Sequence, residues 1–392
     1  MVRQLLLVCL LCTLGSSVPS LAQVQASPGN PPGNPPGNSP AVTGLVSTDP
    51  LLLGMPPALD PNDVYAATRP EHVSPAIRAF PTRVYVPNGL SDTLSVVDPE
   101  TYRVLDTFPV GDEPQHVVPS YDLKTLWVLN NQGDSLTKID PATGKKGETV
   151  RVEDPYNLYY TPDGKSAVVV AERLRRLDFR DPQTMQLQHS LKVPCAGVNH
   201  LDYSINGRYM IASCEFSNEL IKVDVAERKV LGKIKLPRRR GQPQDVRLSP
   251  DGKIFYVADM RAHGVYTIDG DTFSVVDFIP TGKGAHGLNV SRDSKVLYVS
   301  NRGEGSISVL DFATRKVVTT WRFPGGGSPD MGGLSEDGKV LWLGGRYHHE
   351  VYAVDTTTGK LLARIKTGRG SHGVCIYPQP GRYSLGHTGN MR

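Results

Sequence analysis

The sequence is short of most features that announce a chemistry. It has no Gly-x-Ser-x-Gly nucleophile elbow, no P-loop and no His-Glu-x-x-His, so three common enzyme signatures are missing. It has no Cys-x-x-Cys-His either, so no covalent c-type haem is indicated. Cysteine is scarce, five in 392 residues, and Cys9 and Cys12 fall within the first apolar run. The net charge of +4 is too small to argue general nucleic-acid binding. The one short basic run, Arg238-Arg239-Arg240, reads as a solvated loop. Beyond residue 22 there is no apolar run of membrane-spanning length.

Turn formers, by contrast, are plentiful. Glycine (39) and proline (32) punctuate a chain that is 39% hydrophobic and 21% charged, a globular composition. Residues 1–22 read as a secretory signal peptide, with Arg3 at the start, an apolar run over residues 5–14 and a small-x-small site at Ser20-Leu21-Ala22. That predicts a secreted or periplasmic protein; the apolar run is too short for the alternative, a membrane anchor. Residues 23–40 form a Pro/Gly/Asn-rich linker that cannot bury a core. Residues 41–82 form a leader, of which 65–83 is expected to lie against the main domain, residues 83–392.

One stretch, Pro114-Gln115-His116-Val117, organises that domain because it recurs. Its counterparts are Pro155-Tyr156-Asn157-Leu158, Val198-Asn199-His200-Leu201, Pro243-Gln244-Asp245-Val246, Gly284-Ala285-His286-Gly287, Pro329-Asp330-Met331-Gly332 and Gly370-Ser371-His372-Gly373. The third residues are 41, 43, 45, 41, 45 and 41 positions apart. A period in the low forties with two-residue alternation inside each unit predicts an all-β, seven-bladed β-propeller. Each unit holds four short strands, with turns such as Ser249-Pro250-Asp251-Gly252-Lys253 between the first and second. The chain enters a blade at its second strand, Arg83-Val84-Tyr85-Val86. It leaves on an unpartnered first strand at residues 372–377. Pairing these two ends would close the ring and remove its long open edge.

Tyr85-Val86-Pro87-Asn88, Tyr298-Val299-Ser300-Asn301 and the Ser249–Lys253 turn resemble the repeats of the YVTN-type seven-bladed β-propellers, over about residues 83–377. The resemblance implies the fold and a bacterial secreted or periplasmic setting. It implies function weakly, since propellers host unrelated activities. A more distant likeness to the d-type haem propeller domain of nitrite reductases suggests a tetrapyrrole seat built from His and Arg on one face.

Propeller topology places the third quartet residues at the rim of the central channel: His116, Asn157, His200, Asp245, His286, Met331 and His372. Neutral imidazoles beside a carboxylate suit zinc, copper or iron, so His116, His200, Asp245, His286 and His372 are candidate metal ligands. The plainer alternative is that the imidazoles bond neighbouring blades around a watery channel. Loops after the second strands reach the same face. They bring Asn88, Asn130, Asn301 and four recurring arginines, Arg173, Arg261, Arg302 and Arg346. With Asn157 the four arginines are candidate ligand-binding residues for a small anion or a porphyrin's carboxylates. Turn aspartates (Asp98, Asp140, Asp224, Asp311, Asp355) should point to the opposite face. Cys195 and Cys214 fit a disulfide in an oxidising compartment, or a thiolate ligand beside His200. Cys375 reads as a buried small hydrophobe.

The expectation is a binding module, monomeric, that holds a ligand, metal ion or protein partner on its His/Arg face. A metal- or haem-dependent oxidoreductase or lyase at the channel mouth is the enzyme alternative. A protein-interaction scaffold is the third.

Overall fold

Seven four-stranded antiparallel sheets follow one another around an axis in a computed structural model that describes residues 50–392. The signal peptide and linker readings fall outside the described residues. Blades 2 to 7 begin with inner strands Pro114–Pro119, Pro155–Tyr160, Val198–Tyr203, Pro243–Leu248, Ala285–Val290 and Pro329–Leu334. Blade 1 takes its inner strand from the far end of the chain, Cys375–Tyr377, followed by Arg83–Asn88, Thr93–Val97 and Val104–Pro109. The closing register is Arg83 with Tyr377, Val84 with Ile376 and Tyr85 with Cys375. The expected closure is therefore present, extended by a bridge between Asn88 and Ser371.

Burial follows from stacking the blades. Inner strands such as Pro114–Pro119 and Val198–Tyr203 are buried at every position, because a neighbouring blade covers each face. Outer strands such as Lys145–Arg151 are exposed almost throughout. The apolar clusters lie between blades: Trp127 and Leu129 of blade 2 pack with Leu158, Tyr160 and Val169 of blade 3. Fully burying one such side chain contributes roughly 1.5–3 kcal/mol.

The repeated polar residues hold turns and strands. In six blades a Ser or Thr hydroxyl bonds the residue two ahead, for example Ser120 to Asp122, Ser249 to Asp251 and Ser335 to Asp337. Asp98, Asp140, Asp224, Asp311 and Asp355 accept backbone N–H groups of their own turns, the Asx-type device that makes Asp a turn former. Asn88, Asn130 and Asn301, expected in loops on the His face, are turned into their own blades. Each is buried, and its Nδ2 donates to two hydroxyls of the adjacent third strand.

Residues before and after the ring cover one end of it. Val64 and Tyr65 join an apolar cluster with blade 5, and the Tyr65 hydroxyl donates to the Leu248 carbonyl at 2.7 Å. Beyond the closing strand, Tyr383 and Leu385 pack against blades 3 and 4. Arg392 lies against Asp202 at 3.0 Å. Cys195 and Cys214 form a disulfide that ties the entry of blade 4 to the end of its second strand, so the thiolate-ligand alternative does not hold. Cys375 is free and buried. No described helix is long and apolar enough to cross a membrane.

Candidate functional site

Each inner strand begins irregularly. Pairing register shifts between Pro114 and His116, Pro155 and Asn157, Pro243 and Val246, and Pro329 and Gly332. A bulge re-aims side chains that strict alternation would send to opposite faces. Second and third quartet residues therefore both reach the axis.

At the axis, five imidazoles pack against one another. His116, His200, His286, His372 and His387 are each at most 2% exposed. Neighbouring rings lie edge to face, with centroids 4.7 Å apart for His116 and His372 and 4.9 Å for His200 and His387. Burial holds His116, His200 and His372 well below the ordinary imidazole range, and lowers His286 as well. These rings are therefore neutral near pH 7 and each carries one nitrogen lone pair.

Among the described residues two groups of donors emerge, each with one ligand atom per residue within 4.8 Å of the others. The first is His286, Asp330 and His372, from three consecutive blades. His286 Nδ1 and Asp330 Oδ1 stand 2.7 Å apart, and His372 Nε2 is 3.7 Å from the same oxygen. His286 and Asp330 thus form a buried contact at ion-pair distance, and His372 faces the same oxygen. Arg302 Nη1 reaches the other oxygen, Asp330 Oδ2, at 3.2 Å. Burial opposes ionisation of Asp330, but its polar surroundings, the Arg302 guanidinium among them, outweigh it and hold the carboxyl well below the usual carboxylate range.

The second group is His116, His200 and His387. His116 Nδ1 donates to the Tyr156 carbonyl at 2.9 Å, which leaves Nε2 as the lone-pair nitrogen, buried and unpartnered. The Asn157 amide nitrogen lies 2.9 Å from His200 Nδ1 and 3.0 Å from His387 Nδ1. Asn157 Oδ1 accepts the Leu158 N–H, so the amide hydrogens face the two rings.

The residues predicted from sequence divide accordingly. His116, Asn157, His200, His286 and His372 come together at the axis. Asp245 is there too, but its Oδ1 accepts the Val246 N–H and its Oδ2 the Leu288 N–H, with Arg247 at 3.5 Å. Asp330 is the carboxylate that meets the donor trio instead. The arginines do not converge. Arg302 reaches Asp330; Arg346 bonds Gln115 at 3.0 Å. Arg173 is clamped on Asp154 at 2.8 Å and Asp134 at 3.3 Å. Arg261 lines a separate cleft of about 580 Å³ with Phe216, Arg239 and Arg240. Two site residues were missed. Asp330 is the one acid at the second quartet position, in the one quartet whose third residue, Met331, is apolar. His387 lies past the last repeat.

A carboxyl pair adjoins the quartets. Asn199 Nδ2 donates to Glu172 Oε1 at 3.0 Å and to Glu215 Oε2 at 2.7 Å. Burial, then the charge of Glu215, push Glu172 up to about 8.

A planar tetrapyrrole does not fit among these rings. The imidazoles are already in mutual contact, and the arginines that would take its carboxylates stand apart or are paired. The donor spacing suits single ions.

Fold and channel together define a single-chain seven-bladed propeller with a buried histidine–carboxylate axis. The chain belongs to the YNCE-like β-propeller family, which matches residues 45–382, and so to the YVTN-type propellers. The antigen Lp49 of Leptospira interrogans is 24% identical over 345 residues, covering 78% of this chain and 72% of that protein. Hydrazine synthase of Kuenenia stuttgartiensis superposes with a TM-score of 0.62 at 18% identity, over 81% of this chain and all (100%) of that one. The dihydro-haem d1 dehydrogenase NirN, solved with DHE, gives 0.58 at 14% identity, over 82% of this chain and 78% of that one. At such identities the solved structures show a shared fold.

Proposed function

We propose that this chain is a secreted or periplasmic binding module that holds a divalent transition-metal ion in its channel on His286, Asp330 and His372. One observation carries the reading: two buried imidazoles and a buried carboxylate from three consecutive blades bring one ligand atom each to within 4.8 Å of the others. Buried polar groups need partners, and a cation coordinated by all three groups would satisfy them together. Two neutral imidazoles and one carboxylate suit zinc, iron(II) or copper(II). Arg302 would act as an outer partner that orients the carboxylate, as ligating carboxylates commonly require. The disulfide supports an oxidising compartment.

Metal titration with elemental analysis tests this. Apo-protein should take up zinc or copper(II), and Asp330→Asn should weaken that uptake at least tenfold while far-UV circular dichroism stays native. Wild-type protein that takes up no zinc, copper or iron overturns the reading. A Soret band in protein from its native host would favour haem instead.

A further inference from the structure

The second imidazole group uses none of the residues assigned above. We infer that His116, His200 and His387 form a separate site for a soft monovalent cation, copper(I) in the oxidation state it would hold there. The site is completed by the C-terminal segment. The inference shares the channel with the metal reading above but can fail or stand independently of it.

The argument begins with charge. This group contains no carboxylate, so its three imidazoles bring no negative charge to offset a buried cation. Burying an uncompensated charge is expensive, and the cost climbs steeply with charge. The nearest acid, Asp245, stands 3.7 Å from His387 Nε2, but Arg247 and two backbone N–H groups already engage it. A single positive charge is therefore the cheapest ion to hold. Nitrogen donors without hard oxygens select copper over magnesium, calcium or manganese.

Geometry agrees. His116 Nε2 is a buried lone pair with no partner, fixed in that state by the Tyr156 carbonyl on Nδ1. His200 and His387 turn their Nδ1 atoms toward one amide nitrogen, that of Asn157. Two lone pairs aimed at one electropositive group is the arrangement a cation exploits. Asn157 thus competes with the ion for the same two nitrogens.

Connectivity gives the site a consequence. His116 and His200 belong to blades 2 and 4, while His387 comes from beyond the closing strand. His387 sits at a positive φ of 51° in a tight turn where Gly389 and Asn390 N–H groups return to the Gly386 carbonyl. Its own N–H donates to the Leu158 carbonyl of blade 3. An ion bound here cross-links the tail to two blades, so occupancy and tail docking are linked.

Silver(I), a redox-inert stand-in for copper(I), is the probe. Wild type should bind one silver ion that Asp330→Asn leaves in place. His387→Ala and His116→Ala should each lose it, with thermal melting checking that the ring remains folded. Asn157→Ala removes the competitor, and because two hydrogen bonds are at stake its silver affinity should rise about tenfold, a gain no misfolded variant can imitate. Silver should also protect the tail from carboxypeptidase in wild type and not in His387→Ala. The inference is overturned if His387→Ala binds silver as wild type does, or if neither wild type nor Asn157→Ala binds it.

Discussion

Glu172 illustrates how a single residue can set a pH dependence. Its carboxyl is raised from an ordinary value of 4.5 to about 8, by burial first and by Glu215 second. The folded chain therefore holds a proton there that the unfolded chain has released. Between about pH 4.5 and pH 8 the folded state binds more protons, so stability falls as pH rises through that window. Glu172→Gln keeps an oxygen for Asn199 Nδ2 and removes the ionisation. Melting temperature measured from mildly acidic to mildly alkaline buffer should decline less in the variant than in wild type. Parallel declines would show that Glu172 titrates normally. The same scale explains what the sequence did and did not disclose. His116, His200, His286 and His372 were legible because the repeat fixes one channel position per blade. Asp330 was not, because the bulge turns the second quartet residue inward as well, and alternation alone assigns it to the other face. The four arginines recur in sequence, yet their long side chains go to different places: Arg173 and Arg302 find acids, Arg346 a glutamine and Arg261 a separate cleft.

At the level of elements, the segment after Tyr377 departs from everything the repeat predicted. It has no strand periodicity, so nothing in the sequence marked it as part of the channel. Its hold is polar. Arg392 Nη2 lies 3.0 and 3.2 Å from the two Asp202 oxygens, and Asn390 Nδ2 donates to Asp202 Oδ1 at 3.0 Å. Asp202 also accepts the Leu248 N–H, which joins blade 4 to blade 5. Removing one member of a buried ion pair leaves the other uncompensated, at a cost of roughly 3–5 kcal/mol. Arg392→Met should therefore destabilise strongly in chemical denaturation. Asp202→Asn in the same chain should recover part of the loss, since the stranded charge is gone. Additive effects in that double-mutant cycle would mean the pair is not energetically coupled.

The whole molecule is stabilised by repetition, which is why its architecture was the most legible feature. Seven similar units each bury both faces of their inner strands against neighbours, and short turns with Ser/Thr-to-Asp bonds recur at fixed spacing. What repetition cannot supply is its own closure, since a linear array would leave an apolar blade face and an unpaired inner edge. Here the chain resolves both by returning Cys375–Tyr377 to Arg83–Asn88. The outer strands remain as edges, but they carry lysines such as Lys145, Lys146, Lys229 and Lys233, the charge that discourages sheet-to-sheet pairing. Two truncations separate ring closure from the tail. Deleting residues 378–392 keeps the closing ladder, so the product should stay soluble and melt cooperatively, though at a lower temperature. Deleting residues 370–392 removes the ladder as well, exposing Val84 and Val86 together with their apolar partners Trp342 and Val351 of blade 7. That chain should aggregate, because a buried inner strand has become a free edge next to an open apolar face. Light scattering and a melting curve on the two products compare them directly. A longer deletion that stays monomeric and melts in one cooperative step would show that the ring holds without its closing strand.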